Sequence, residues 1–522
     1  MSMTWLANGE GTTAWANHTW EEFASLTDKH RHLVILPLHG IADHGMGLPL
    51  DVEEVIGGEL LRRAVARSLP EIQLRVLPPL RFVLAPIPAS FFGIDPETAH
   101  DLILEIASGV HAAGFSKLVF WNTSPWNAEF MDVAARDVRV AYGLQTFYIN
   151  LSGLDLDFHP AAPGRAALQA MGAYLCETPP SGDTRAGDVT DRLFRPGFWR
   201  QPDPVVPDKS RDPRALLEKT ASHFARLLYD IDAKGKQVPA GHNEAGPHQA
   251  LPQSIAPSLL QPGRLWPAYR SRYLPALTRG ELEAWADKAQ TLVILPAGAI
   301  EQHGYHLPVG VDSLLGQAYL EAALPKLDAG SRVLVAPPIT FGKSNEHEGF
   351  PGTISLSAKT LRRLLLSLVR QLHDLGFRFF AVLNTHGGNS ATVVYTLREI
   401  QSVFGVRAGM LSSGYSPPLS DIERDFGFHA GEWETSLMMA AAADLVRRDR
   451  AVCEYPARPD DPGELRPENA PAIASWISSD ISRSGTMGDA TAATEEKGRR
   501  WMEEWSTALA RQISELARSA RT

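Results

Sequence analysis

Two short stretches of this chain are apolar throughout rather than alternating: "HLVILPL" at residues 32–38 and "TLVILPA" at residues 291–297. Short, β-rich, non-alternating runs predict strands buried on both faces of a parallel sheet, and "FRFFAVLN" (377–384) has the same character. Between such runs the pattern changes to a helical period, as in "AKTLRRLLLSLVRQLHDLG" (358–376), which ends at a glycine suited to a C-cap. Strand, helix, strand in alternation predicts an α/β fold whose mainly parallel β-sheets are flanked by helices. Ligands then gather at the carboxyl ends of the strands.

The pattern is written twice. "HLVILPLHGIADHGMGLPL" (32–50) aligns without gaps on "TLVILPAGAIEQHGYHLPV" (291–309), an offset of 291 − 32 = 259. "GFSKLVFWNTSPWN" (114–127) matches "GFRFFAVLNTHGGN" (376–389), and "DFHP" (157–160) matches "GFHA" (427–430), at offsets of 262 and 270. "RDPRALLEKT" (211–220) likewise resembles "GDATAATEEKG" (488–498). Matches in one order at so long a period predict a tandem duplication, not a solenoid. The expected domains are 1–233 and 267–522. The Pro/Gly-rich segment 234–266 joins them as an extended linker, and its His242 and His248 read as solvated loop residues.

Composition narrows the function. The 522 residues are 44% hydrophobic and 21% charged, ordinary for a globular protein, and the net charge of −10 comes with no basic run. That argues against nucleic-acid partners, which require a concentrated basic face. Cys176 and Cys453 are the only cysteines, too few for a disulfide framework or a thiolate cluster. With no apolar run approaching ~20 residues and no secretory signal at the N-terminus, a cytoplasmic protein without membrane contact is expected.

The chemistry-bearing residues crowd the C-terminal copy. Glu301 and His303 project to one side of extended chain, Asp312 follows a loop, and His386 lies in "NTHGGN" directly after a predicted strand. His429, Glu432 and Glu434 lie in "HAGEWETS", just ahead of a helical run. Mixed imidazole and carboxylate groups without thiolates suit Zn²⁺, Mn²⁺ or Fe²⁺. Two divalent ions sharing a carboxylate would use about this number of ligands.

The segments "LPAGAIEQHGYHLPVGVD", "FGKSNEHEGFPGTISL", "NTHGGN" and "HAGEWETS" resemble the creatininase (creatinine amidohydrolase) family over 267–522. The resemblance implies a binuclear metal centre in a homo-oligomeric hydrolase of C–N bonds in small molecules. It implies Glu301, Asp312 and His386 as ligands of one metal, and His303 with a bridging Asp312 as ligands of the other. Where creatininase itself has a further glutamate ligand this chain has Gly388, so the last ligand falls to Glu432. His429 matches the general acid/base and Glu434 the carboxylate beside it. Glu346 and His347, within "EHEGFPGT", are within reach of the site, but the rigid turn before a strand that follows them favours a structural or supporting role over direct catalysis, while Tyr305 and Trp433 are candidates for the pocket wall or for a core face. The expected activity is hydrolysis of an amide or cyclic amide, with a formamide- or peptide-cleaving enzyme and a non-catalytic metal-binding scaffold as the alternatives.

The N-terminal copy lacks this set. Alignment puts Ala42, His44 and Glu53 at the positions of Glu301, His303 and Asp312, and Ser124 at that of His386. Around His159, Ala162 and Gly164 replace the two glutamates. The copy is expected to hold no metal pair and to act as a partner that walls the neighbouring site.

Overall fold

The computed structural model describes residues 4–7, 11–68, 72–84, 90–159, 162, 164–177, 179, 212–234, 265–328, 330–456, 463–468 and 470–519. The expected linker, with His242 and His248, falls almost wholly outside them.

The chain builds the same sheet twice. In the N-terminal half the strands are β1 (Leu33–Leu38), β2 (Leu74–Val76), β3 (Lys117–Asn122) and β4 (Gln145–Asn150), in the order β2-β1-β3-β4. The C-terminal half repeats this with β5 (Leu292–Ala297), β6 (Val333–Val335), β7 (Phe379–Asn384) and β8 (Arg407–Met410), in the order β6-β5-β7-β8. Every pairing in both sheets is parallel. As expected for central parallel strands, β1 and β5 are buried along their whole length.

Helices cover both faces. The N-terminal half supplies α1 (Val52–Arg67), α2 (Pro96–Ala112), α3 (Ala128–Tyr142), α4 (Arg165–Leu175) and α5 (Pro213–Lys234). The C-terminal half supplies α6 (Val311–Ala323), α7 (Ala358–Asp374), α8 (Ser390–Phe404), α9 (Glu432–Ala442) and α10 (Glu495–Ser519). The stretch predicted as a helix over 358–376 is α7, and Gly376 beyond its end takes a positive φ of 103°.

Strand alternation sorts the core into layers. Val34, Leu36 and Leu38 of β1 share one apolar cluster with Val293, Leu295 and Ala297 of β5, so the two halves have a common core. Leu33 and Ile35 face a second cluster under α1, α4 and α5, and Leu292 and Ile294 a third under α6, α9 and α10. Across the common layer α2 meets α7. Glu105 accepts hydrogen bonds from Ser357 N and Thr360 Oγ1 at 2.9 Å each, so its charge sits at the amino end of α7, where the helix dipole favours it.

The halves also exchange segments. Val309 N donates to His18 O at 2.8 Å and Gly310 N to Ala16 O at 3.0 Å; Leu50 N donates to Leu277 O at 3.0 Å and Asp51 N to Pro275 O at 2.9 Å. The two sets correspond residue by residue at the repeat offset (309 − 50 = 259), as the two sides of an isologous interface would. Through this exchange the segment 15–23 reaches the C-terminal half. Trp15 Nε1 donates to Gly352 O at 2.9 Å, and Phe23 lies so close to Gly352 that a Cβ there would stand 2.3 Å from its ring. Gly352, with φ 97°, therefore has both the conformation and the bare surface that only glycine offers. "FPGT" is the rigid turn expected, but it leads into a single bridge, Ile300 with Ile354, rather than a strand.

Candidate metal centre

The polar motifs converge at the carboxyl ends of β5 and β7. Glu301 and His303 lie in the loop after β5, and Asp312 lies in the first turn of α6, where a carboxylate complements the helix dipole. His386 follows β7, in a turn whose Asn389 side chain donates to Gly298 O at 3.0 Å and so ties the two strand ends together. His429 pairs with Met487 through two main-chain hydrogen bonds, and Ala430 then takes a left-handed φ of 52°, uncommon for alanine. After that turn, Ala430 N donates to Glu434 Oε2 at 2.6 Å, which fixes the glutamate on the first turn of α9.

Glu301 Oε1 lies 3.2 Å from His386 Nδ1, 3.8 Å from His429 Nδ1 and 3.9 Å from His303 Nε2. Asp312 reaches two ways, with Oδ2 at 3.4 Å from His386 Nδ1 and Oδ1 at 3.5 Å from His303 Nε2. Glu434 Oε1 lies 3.9 Å from His303 Nε2. These atoms form three groups close enough to surround an ion: Glu301, Asp312 and His386; His303, Asp312 and Glu434; and Glu301, His303 and His429. Asp312 belongs to the first two, one oxygen toward each.

Three observations test whether a metal pair fits. Glu301 Oε2, Asp312 Oδ2 and His303 Nε2 are buried with no hydrogen-bond partner, a state that is costly unless something else satisfies them. The outer ring nitrogens of three histidines each meet a main-chain carbonyl: His303 Nδ1 on Glu301 O (3.0 Å), His386 Nε2 on Lys343 O (2.8 Å) and His429 Nε2 on Gln302 O (2.8 Å). A carbonyl accepts only, so each outer nitrogen carries the proton and each inner nitrogen offers a lone pair, the usual orientation of metal-ligating histidines. Charge gives the third. Burial raises the Asp312 carboxyl and nearby Glu301 raises it further, whereas at Glu301 burial is outweighed by His347, His386 and His303. His303 and His386, despite burial, are pushed up to about 9 and about 10 by the carboxylates facing them. The carboxylates thus recruit protons onto the two imidazoles, a demand that divalent cations meet instead. The residues fit such a pair.

Glu432 lies apart from these groups. Its carboxylate forms an ion pair with Lys497 of α10 and, among the described residues, belongs to none of the three groups. Glu434, matched to the carboxylate beside the general acid/base, joins Asp312 and Glu301 in facing His303, and burial pushes its carboxyl up to about 7. Gly388 is closed to a side chain, because a Cβ there would stand 2.2 Å from Glu346 Oε1 and 2.4 Å from Lys343 O. His347 lies inside the site with Nε2 3.7 Å from Glu301 Oε1 and its ring stacked on His429 at 4.5 Å. Glu346 instead faces Lys343. Of the candidate wall residues, Tyr305 packs on Trp20 of the N-terminal half, while Trp433 packs on Trp501 in the core.

In the N-terminal counterpart the carboxylate is satisfied within the fold. Glu53 Oε1 pairs with His44 Nε2 at 2.9 Å, and Oε2 accepts from Gly40 N at 2.7 Å and Thr123 Oγ1 at 3.2 Å. Beside Gly164, Arg165 places a guanidinium on the His44 carbonyl, adding positive charge where the other half has a glutamate. Among the described residues, the three groups able to surround an ion all lie in the C-terminal half.

The sequence model of the creatininase family, described as creatinine amidohydrolase, matches residues 16–179 and 275–513, one segment in each half. The chain is 32% identical over 251 residues to the creatinine amidohydrolase of Pseudomonas putida, covering 44% of this chain and 91% of that one. It is 33% identical over 213 residues to the mycofactocin precursor peptide peptidase of Mycolicibacterium smegmatis, covering 40% and 78%. A solved structure, "Creatininase Mn", aligns over 47% of this chain and 98% of its own with 29% identity and a TM-score of 0.39. With both halves matched, the chain belongs to the creatininase family.

Proposed function

We propose that the C-terminal half is a metal-dependent hydrolase that cleaves the C–N bond of a small amide or cyclic amide. The observation that carries this is Asp312, buried between two donor sets with one oxygen aimed at each. Glu301, Asp312 and His386 would hold one divalent ion (zinc, manganese or iron), and His303, Asp312 and Glu434 the other, Glu434 taking the place first given to Glu432. Divalent ions supply Lewis acidity that activates water near neutral pH and polarises a carbonyl oxygen.

The chain's own groups do the rest. The amine leaving an amide is a poor leaving group until protonated, and His429 is placed to handle that proton. Its Nε2–H is spent on Gln302 O, and its Nδ1 faces the acidic cluster. Burial and the neighbouring His303 and His347 rings hold its pKa well below the usual histidine range, so it enters the reaction neutral and able to accept a proton before returning it to nitrogen. The N-terminal half is non-catalytic in this reading and shapes the wall of the site.

A peptide substrate is the second reading, favoured by the likeness to the mycofactocin precursor peptide peptidase. Elemental analysis, followed by a panel of cyclic amides, formamides and short peptides offered to the metal-loaded protein, tests both. Two ions per chain and turnover of one class support the proposal, and protein that takes up no metal refutes it.

A further inference from the structure

His347 is the imidazole of the cluster whose hydrogen bonds run the other way. Its outer nitrogen, Nδ1, meets two groups able to donate: Gln302 Nε2 at 2.9 Å and Ser478 Oγ at 2.6 Å. The Gln302 amide cannot be turned around. Its Oε1 accepts from Gly304 N at 2.9 Å, which only an oxygen can do, and its Nε2 donates to Gly485 O at 3.0 Å, which only a nitrogen can do. Gln302 Nε2 also lies 3.1 Å from His429 Nε2, but that nitrogen already donates to Gln302 O, so the second amide hydrogen goes to His347 Nδ1; this requires a lone pair there and places the ring proton on Nε2. That N–H points into the site, 3.7 Å from Glu301 Oε1 and beyond hydrogen-bond distance. Around Glu301, three histidines present lone pairs and His347 presents a donor.

We infer that the His347 Nε2–H hydrogen-bonds an oxygen of the bound substrate, the acyl oxygen on which negative charge grows, and that Gln302 is the positioning residue that sets this tautomer. The inference rests on the amide-hydrolase reading of the same site. His347 keeps its proton throughout. As the nucleophilic oxygen adds to the acyl carbon, the C=O π pair moves onto the acyl oxygen and the N–H···O bond shortens. When the C–N bond breaks, the pair returns, and the proton for the departing nitrogen comes from His429. A preorganised neutral donor in a dry site contributes to catalysis through such developing charge. Unlike a cation, it does not compete with metal for the carboxylates.

The probe is inorganic phosphate, a tetrahedral oxyanion, titrated calorimetrically into zinc-loaded protein. His347→Leu should keep the wild-type metal count and bind phosphate about tenfold more weakly, while His347→Gln, which retains an N–H, should stay within about threefold. Unchanged phosphate affinity in His347→Leu, or loss of metal from it, overturns the inference. Independently of any ligand, long-range ¹H–¹⁵N spectra of histidine-labelled protein should place the His347 proton on Nε2, and Gln302→Glu should move it to Nδ1. A wild-type proton on Nδ1 overturns the assignment. Wild-type protein that binds no metal would instead sink the hydrolase reading, with the spectrum still reporting Gln302's control, so the two failures separate.

Discussion

The indole N–H of Trp20 donates to the main-chain oxygen of Ser484 at 2.8 Å, so a side chain of the N-terminal half holds a loop of the C-terminal site. That loop continues into Gly485, whose carbonyl fixes Gln302, and Gln302 in turn contacts His347 and His429. The Trp20 ring also packs on Tyr305 and Phe350, with centroids 5.1 and 4.9 Å away. Trp20→Phe keeps the ring and removes the donor, at a cost of about 1 kcal/mol. Hydrogen exchange at residues 482–487 should quicken and kcat/KM should fall by up to about tenfold. Unaltered protection of that loop would show that the contact has no purchase on the site.

Glu434 and Glu432 separate cleanly by metal content. Glu434→Ala should reduce the count from two ions per chain to about one, whereas Glu432→Ala should leave it at two. Losing the Lys497 ion pair at the start of α9 should cost at most about 1 kcal/mol, because Lys497 is partly exposed. The opposite pattern by elemental analysis would return the ligand role to Glu432.

How far the sequence reached depends on how local each determinant is. The doubled parallel sheets follow from apolar runs and a repeat that lie open along the chain. Glu301, His303 and His386, just past strand ends, and Asp312, at the start of the next helix, are brought together as those positions suggest. The placing of Glu434 rather than Glu432 beside His303 comes after the turn at Ala430, whose left-handed φ of 52° nothing about alanine announces. The role of His347 stayed open in the sequence because part of its setting comes from afar: besides Gln302, its Nδ1 meets Ser478, 131 positions on, in a segment with no motif of its own. A weak signal existed, in that a histidine between two glutamates is an expensive choice for a mere turn.

The N-terminal half should contribute no metal. His44→Ala should leave the ion count unchanged while lowering stability by about 1–3 kcal/mol, because Glu53 then keeps a buried oxygen without its partner. Thermal melts of metal-free and loaded protein would read both quantities. A drop in metal count would make the N-terminal copy a second site.

Acid should loosen the join between the halves. Burial raises the Glu22 carboxyl, but hydrogen bonds it accepts from His18, Arg447 and Thr19 N prevail and lower it to about 2 from the usual 4.5. A carboxylate depressed by folding stabilises the protein fully above pH 4.5, and that contribution is lost as pH falls from 4.5 toward 2. Glu22→Gln should be less stable than wild type at pH 6, with the difference shrinking across that window. A gap between the two melting curves that does not change with pH would assign Glu22 no role in the join.

The reciprocal hydrogen bonds of Val309 with His18 and Leu50 with Leu277 have a consequence in mass action. Were the two copies separate molecules, a site walled by its neighbour would empty of that wall on dilution, and each subunit would have to remain able to catalyse. Tethering makes the encounter intramolecular, at an effective concentration that dilution does not change. The hold of Trp20 on the Ser484 loop is then present at any expression level. On the proposed reading, the copy that provides it is free to carry Ala42 and Ser124 in place of a glutamate and an imidazole, because one working centre then serves each pair of folds.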